Sequence, residues 1–152
     1  MQPQAAMILF LDFDGALHPS PMDERGIFCH WERLESILRM FPFVNVVISS
    51  SWRPTFPADV IMEIFSADIQ SRIVGMTPSN VAGADQSRHA EILAWITETN
   101  YCRPWVALDD AAGEFHNAGD RLLVCQTTVG FDEVVARRLM EMLAAEQARR
   151  LQ

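Results

Sequence analysis

MILFLDFDGALHP, residues 7–19, joins two kinds of sequence that seldom meet. Met7 to Leu11 is an unbroken apolar run of strand length, the pattern of a strand covered on both faces. It stops abruptly at Asp12-Phe13-Asp14-Gly15. In an open parallel sheet, ligands bind just beyond the carboxyl ends of the strands. Two carboxylates leaving one strand end repel each other unless a cation lies between them or one stays protonated. A hard cation such as Mg²⁺, held by one or two carboxylates plus water and phosphate oxygens, resolves that conflict. Asp-x-Asp-Gly is also ordinary turn chemistry, and the stretch alone does not separate the two readings. A calcium loop of the EF-hand type is excluded by spacing, because its fifth position needs an oxygen ligand and Ala16 stands there.

Working outward, apolar runs alternate with helical periodicities. Strands are expected over residues 7–12, 44–48, 72–75, 105–108 and 121–125. Helices are expected over 31–40, with Pro42 behind it, over 58–66 behind Pro57, over 87–97 with Ile92, Leu93, Trp95 and Ile96 inward, and over 132–149. The last carries acids early and arginines late, matching the helix dipole. Residues 18–29, with Pro19, Pro21 and Gly26, read as a flap over the first strand end; residues 80–86 read as a loop, and 111–120 as a loop with a short helical turn. The alternation predicts an α/β fold of three layers, α/β/α, around a central and mostly parallel sheet, formed by residues 1–152 as a single domain. Such a sheet gathers its carboxyl strand ends on one edge. Asp12 and Asp14, the segment Ser49-Ser50-Ser51-Trp52-Arg53, and Asp109 with Asp110 would then converge. Three strands ending independently in groups that bind metal or phosphate point to a site.

Composition sets the bounds. The chain is 49% hydrophobic and 21% charged, ordinary for a folded domain. No apolar run approaches a membrane span, and MQPQAAM has no positive charge ahead of its apolar stretch, so neither a membrane nor a secretory signal is expected. Cys29, Cys102 and Cys125 are odd in number and far apart, which suggests reduced core thiols in a cytoplasmic protein. His18, His30, His89 and His116 show no short metal-ligand spacing; each is expected at the surface or in a hydrogen bond, and His18 is open between a substrate contact and a structural hydrogen bond. Trp31, Trp95 and Trp105 fall on core positions, whereas Trp52 follows the serine run and would line a site mouth. A net charge of −8 argues against broad nucleic-acid binding, though not against a small basic patch at one phosphate. The chain has no lysine, so any cation that grips phosphate must be an arginine.

The ordered motifs carry a family resemblance. DFDGAL at 12–17 resembles the first motif of the haloacid-dehalogenase-like (HAD) superfamily, VVISSS at 46–51 its second, and VALDD at 106–110 its acidic fourth. More narrowly, LFLDFDGALHP, ISSSWR, IVGMTP, RHAEILAWI and WVALDD together resemble the small HAD domains of bacterial Swiss Army Knife RNA-repair proteins. The resemblance implies a Rossmann-like fold and phosphate-ester hydrolysis. Asp12 would be the nucleophile, forming an aspartyl-phosphate, and Asp14 the general acid and then base. Mg²⁺ would be held by Asp12, by Asp14 through its backbone carbonyl, and by an Asp of the pair Asp109 and Asp110. Gly15 and a hydroxyl from Ser49, Ser50 or Ser51 would line the phosphate; which serine stays open, Ser51 having the Ser-x-Arg spacing to Arg53. The superfamily's third motif is usually a lysine. Arg88 is the best substitute here and Arg53 a second candidate.

The stretches between motifs are taken up by the flap, helices and a strand, so no large cap domain fits. An uncapped site suits an exposed phosphate, such as a nucleic-acid end, and also admits small esters. The expected function is therefore a Mg²⁺-dependent phosphomonoester hydrolase acting on a phosphorylated substrate. The alternative is a non-catalytic module of the same fold that binds metal, phosphate or a partner; the missing lysine is its best argument. Nothing in the sequence speaks to oligomeric state.

Overall fold

In the computed structural model, which describes residues 7–24, 26–49, 57–79 and 81–152, Met7–Leu11 forms the central strand β1, and all five of its residues are buried. It is flanked by β2 (Val44–Ile48) and β4 (Trp105–Asp109), both parallel to it. The edges are β3 (Ile73–Met76) beyond β2 and β5 (Leu122–Val124) beyond β4, again parallel. The strand order is β3-β2-β1-β4-β5. The expected mostly parallel sheet is thus parallel at every described pairing.

The pleat of β1 explains the three layers. Met7, Leu9 and Leu11 face one core with Val46, Ile48, Val106 and Leu108. That core is closed by Leu34, Ile37 and Leu38 of α1 (Trp31–Met40) and Leu139 and Leu143 of α5 (Glu133–Arg150), together with Ile61 of α2 (Ala58–Met62) and Ile69 of α3 (Ala67–Gln70). Ile8 and Phe10 point the other way, onto Val47, Trp105, Ala107 and Ile92 of α4 (Arg88–Thr99). Alternate side chains of one strand therefore feed two cores, which is why the run is apolar without a break.

Several details correct the sequence reading. The helix expected over 58–66 is two short helices, α2 and α3. Glu35, buried on α1, accepts hydrogen bonds from the Ser66 backbone N–H at 2.9 Å and from its hydroxyl at 2.6 Å, so Ser66 is held extended and starts a new helix. Leu93, expected inward, is exposed, as is Cys102. Of the three thiols only Cys125 is a core residue, and all three are free. Residues 111–120, read as a loop with one turn, hold the 3₁₀ turn Ala112–Glu114 and the start of a second, Gly119–Arg121. No described helix is long and apolar enough to cross a membrane.

A crevice follows from the strand order. The chain starts mid-sheet at β1, builds outward through β2 to β3, then crosses back to lay β4 on the other side of β1. Where the order reverses, the connections leave in opposite directions and a cleft opens beyond the carboxyl ends of the strands. Here that point lies between β1 and β4.

Candidate active site

The first residues past β1 and β2, and the last of β4, are carried on the strand ladder itself. The Asp12 N–H donates to Leu108 O at 3.1 Å, that of Ser49 to Leu11 O at 2.9 Å, and Asp109 O accepts from Cys125 N at 2.9 Å. Asp12, Ser49 and Asp109 are thereby fixed at the crevice by backbone bonds, and each is 1–2% exposed.

Carboxylate oxygens of Asp12, Asp109 and Asp110 lie within 4.8 Å of one another. Burial pushes the Asp12 carboxyl well above the usual carboxylate range, and Asp109 and Asp110 push it further; Arg88 opposes them. Asp109 is raised as well, first by burial, with Arg88 again opposing. Three acids gathered this closely and kept from water are an arrangement that wants positive charge. Arg88 supplies one unit. It is the first residue of α4, whose N-cap Ser87 accepts from the Ala90 N–H, and the crossover from β3 brings that helix start to the carboxyl edge. Its Nη1 donates to Asp12 Oδ1 at 2.8 Å and to Ser49 O at 2.7 Å, while its Nε lies 3.3 Å from Asp109 Oδ2. The last approach is an ion pair without hydrogen-bond alignment, and Asp109 Oδ2 has no hydrogen-bond partner among the described residues. Nor does the buried hydroxyl of Ser49. A buried carboxylate oxygen and a buried hydroxyl left unmatched cost free energy in an inert core (about 1–3 kcal/mol each), and both would be satisfied by a cation and an oxyanion. The donor set is all oxygen, which fits a hard divalent ion such as Mg²⁺.

The remaining candidates divide. Gly15 adopts a φ of +77°, and a Cβ there would overlap the Asp110 carboxylate, so glycine lets the turn after β1 and the turn after β4 close on each other. Asp14 stands apart from the carboxylate trio. Its side chain is about half exposed (46%), and its Oδ1 meets His18 Nε2 at 2.7 Å. Between the two acids Phe13 turns inward and packs in the core, anchoring the turn. Ser50, Ser51, Trp52 and Arg53 lie outside the described residues. His18, open in the sequence between a substrate contact and a structural hydrogen bond, is buried and bonded to Asp14. The signal is the spacing, since a tight turn after Asp14 returns the fourth residue on to its side.

With this geometry in view, comparison with known proteins gives one result. The family described as the HAD domain in Swiss Army Knife RNA repair proteins matches residues 8–136. No curated protein and no solved structure matches the chain.

Proposed function

Because the chain belongs to the family of HAD domains in Swiss Army Knife RNA repair proteins, we propose that it is a Mg²⁺-dependent phosphomonoester hydrolase working through Asp12. One observation carries the reading. At the carboxyl ends of β1 and β4 three carboxylates lie within 4.8 Å of one another with Arg88 on two of them, and at the end of β2 the buried Ser49 hydroxyl has no partner among the described residues.

Asp12, one of Asp109 and Asp110, and the backbone carbonyl of Asp14 would hold Mg²⁺, which would supply charge that offsets the negative charge on the transferring phosphoryl group. Arg88 and the Ser49 hydroxyl would grip phosphate oxygens. An Asp12 carboxylate oxygen attacks phosphorus, the bond from phosphorus to the leaving oxygen breaks, and Asp14 gives its proton to that oxygen, releasing an alcohol. The Asp14 carboxylate then takes a proton from the water that attacks the aspartyl-phosphate. Inorganic phosphate departs, and both acids return to their starting states. Arg88 keeps the nucleophile in place throughout, its Nη1 tying Asp12 Oδ1 to the Ser49 carbonyl.

The substrate proposed is a phosphate monoester on an exposed chain end, since no cap stands over the site among the described residues and the family's description names RNA repair. The test is phosphate release from p-nitrophenyl phosphate with and without Mg²⁺, then from 3′- and 5′-phosphorylated oligonucleotides. Metal-dependent turnover should fall at least about 10³-fold in Asp12→Asn. Saturating Mg²⁺ at about 100 times its Kd adds about 2.7 kcal/mol, so Tm should rise by about 5–10 °C. A rise in Tm with no turnover on any of these esters would sink the catalytic reading and favour a metal-binding module.

A further inference from the structure

We propose that His18 is a positioning residue for Asp14, holding that carboxyl over the leaving oxygen; the inference rests on the phosphatase reading above. His18 Nδ1 accepts a hydrogen bond from the Phe28 backbone N–H at 3.2 Å. The ring proton therefore sits on Nε2, which donates to Asp14 Oδ1 at 2.7 Å. The imidazole bridges a flap backbone and the acid.

This bond is not needed to close the turn. Gly15 N donates to His18 O at 2.9 Å, and the N–H groups of Ala16 and Leu17 donate to Phe13 O at 3.0 and 2.9 Å. Backbone bonds already fold residues 13–18, so the His18 ring can serve another purpose. Its bond to Oδ1 selects one orientation for a half-exposed carboxyl at the mouth of the site, and the donor that does so is itself buried.

The flap is shaped to hold the ring. Phe28 has a φ of +54°, a strained conformation that a bulky residue rarely adopts. That backbone turns its N–H toward His18, while its ring packs edge-on against both Phe13 and His18 at 5.5 and 5.1 Å between centroids. A strained residue whose amide and ring both secure one histidine marks that histidine as something the fold is built to keep still.

A general acid matters most when the leaving group is poor. Two substrates therefore separate positioning of Asp14 from a merely structural role: p-nitrophenyl phosphate, whose leaving group needs little protonation, and an alkyl phosphate such as glycerol phosphate. His18→Asn can still accept from Phe28 but is too short to reach Asp14; His18→Gln places an amide donor near the Nε2 position. With Mg²⁺ bound, His18→Asn should lose about 10- to 100-fold in kcat on the alkyl ester, part of the roughly 10²–10⁴ a placed acid supplies. On p-nitrophenyl phosphate it should lose less than about threefold, and His18→Gln should restore most of the alkyl activity. Equal losses on both esters, or no loss on either, overturns the role of His18 while leaving the phosphatase intact. A wild-type protein that turns over neither these esters nor the 3′- and 5′-phosphorylated oligonucleotides overturns the phosphatase reading and this role with it.

Discussion

His89 follows Arg88 on α4, and its surroundings differ from those of its neighbour. Its ring stacks on Phe115 at 5.6 Å with 25° between the planes and tilts against Trp105. Its Nδ1 accepts from the His116 backbone N–H at 3.1 Å, a bond that a proton on that nitrogen would abolish. Burial lowers its pKa below the ordinary histidine value, the His116 ring and Arg121 lower it further, and the Asp85 carboxylate opposes them. A base depressed in the folded state takes its proton later than in the unfolded chain. Its contribution is thus complete above about pH 6.5 and is lost as pH falls through the lower folded value. In an NMR titration the His89 ring should show a midpoint below 6.5; a midpoint at or above that value would contradict this packing. Arg88 itself has a different task. Its guanidinium reaches two carboxylates and one carbonyl from a single helix start, with two nitrogens set apart in a rigid plane where a lysine would offer one point charge. A chain without lysine has thus placed at this point the one permanently charged kind of cation it has, with a shape suited to the job.

The join between α1 and β2 depends on Arg72. It donates from Nη1 to Leu38 O at 2.6 Å, and from Nη2 to Phe41 O at 2.9 Å and Val44 O at 2.6 Å. Leu38 O and Phe41 O each also accept a backbone N–H, from Phe41 at 3.2 Å and from Val44 at 3.1 Å, so the guanidinium adds charged donors to carbonyls already engaged where the chain passes from α1 to β2. One side chain just ahead of β3 thus caps α1 and pins the entry of β2. Arg72→Met keeps much of the aliphatic stem and removes the donors. It should cost about 2–4 kcal/mol, since hydrogen bonds from charged donors are worth roughly 1.5–3 each and some carbonyls will rehydrate. Urea unfolding reads the loss, and a change under about 0.5 kcal/mol would show that water substitutes freely. This contact also marks the limit of what the amino-acid string discloses. Strand and helix order are legible because β1 is apolar on both faces and because Leu34, Ile37 and Leu38 repeat at helical spacing. Asp12, Ser49 and Asp109 can be grouped from the string alone, because parallel strands share one carboxyl edge and these residues stand at the strand ends; Arg88, at a helix start, is suggested only by the family resemblance. Pairings between side chains far apart in the chain cannot be read this way. The Glu35 to Ser66 capture breaks an otherwise periodic helix, Asp110 fills the space that Gly15 leaves, and Arg72 bonds to carbonyls that no pattern announces. His18 falls between the two cases: its spacing to Asp14 is visible, but the direction of its ring depends on Phe28.

At the scale of the molecule, charge and openness pull against each other. The site is uncapped among the described residues and the substrate proposed for it is a phosphorylated chain end, yet the protein carries a net charge of −8. Four acids (Asp12, Asp14, Asp109 and Asp110) lie at the crevice or its mouth against Arg88. An approaching polyanion therefore meets repulsion well before it meets the arginine, and the repulsion grows with the number of phosphates it carries. Salt shortens the reach of that field: the Debye length falls from about 30 Å at 0.01 M to about 8 Å at 0.15 M. At fixed free Mg²⁺, kcat/KM for a 5′-phosphorylated oligonucleotide of about ten nucleotides should rise several-fold over this range. That for p-nitrophenyl phosphate, with one phosphate, should change much less. This is the reverse of electrostatic steering, in which salt slows association. If the oligonucleotide value instead falls as salt is added, arginines grouped near the mouth must outweigh the net charge locally and draw the chain in. The sign of the slope thus tells whether a nucleic-acid end reaches Asp12 despite the field of the protein or because of a part of it.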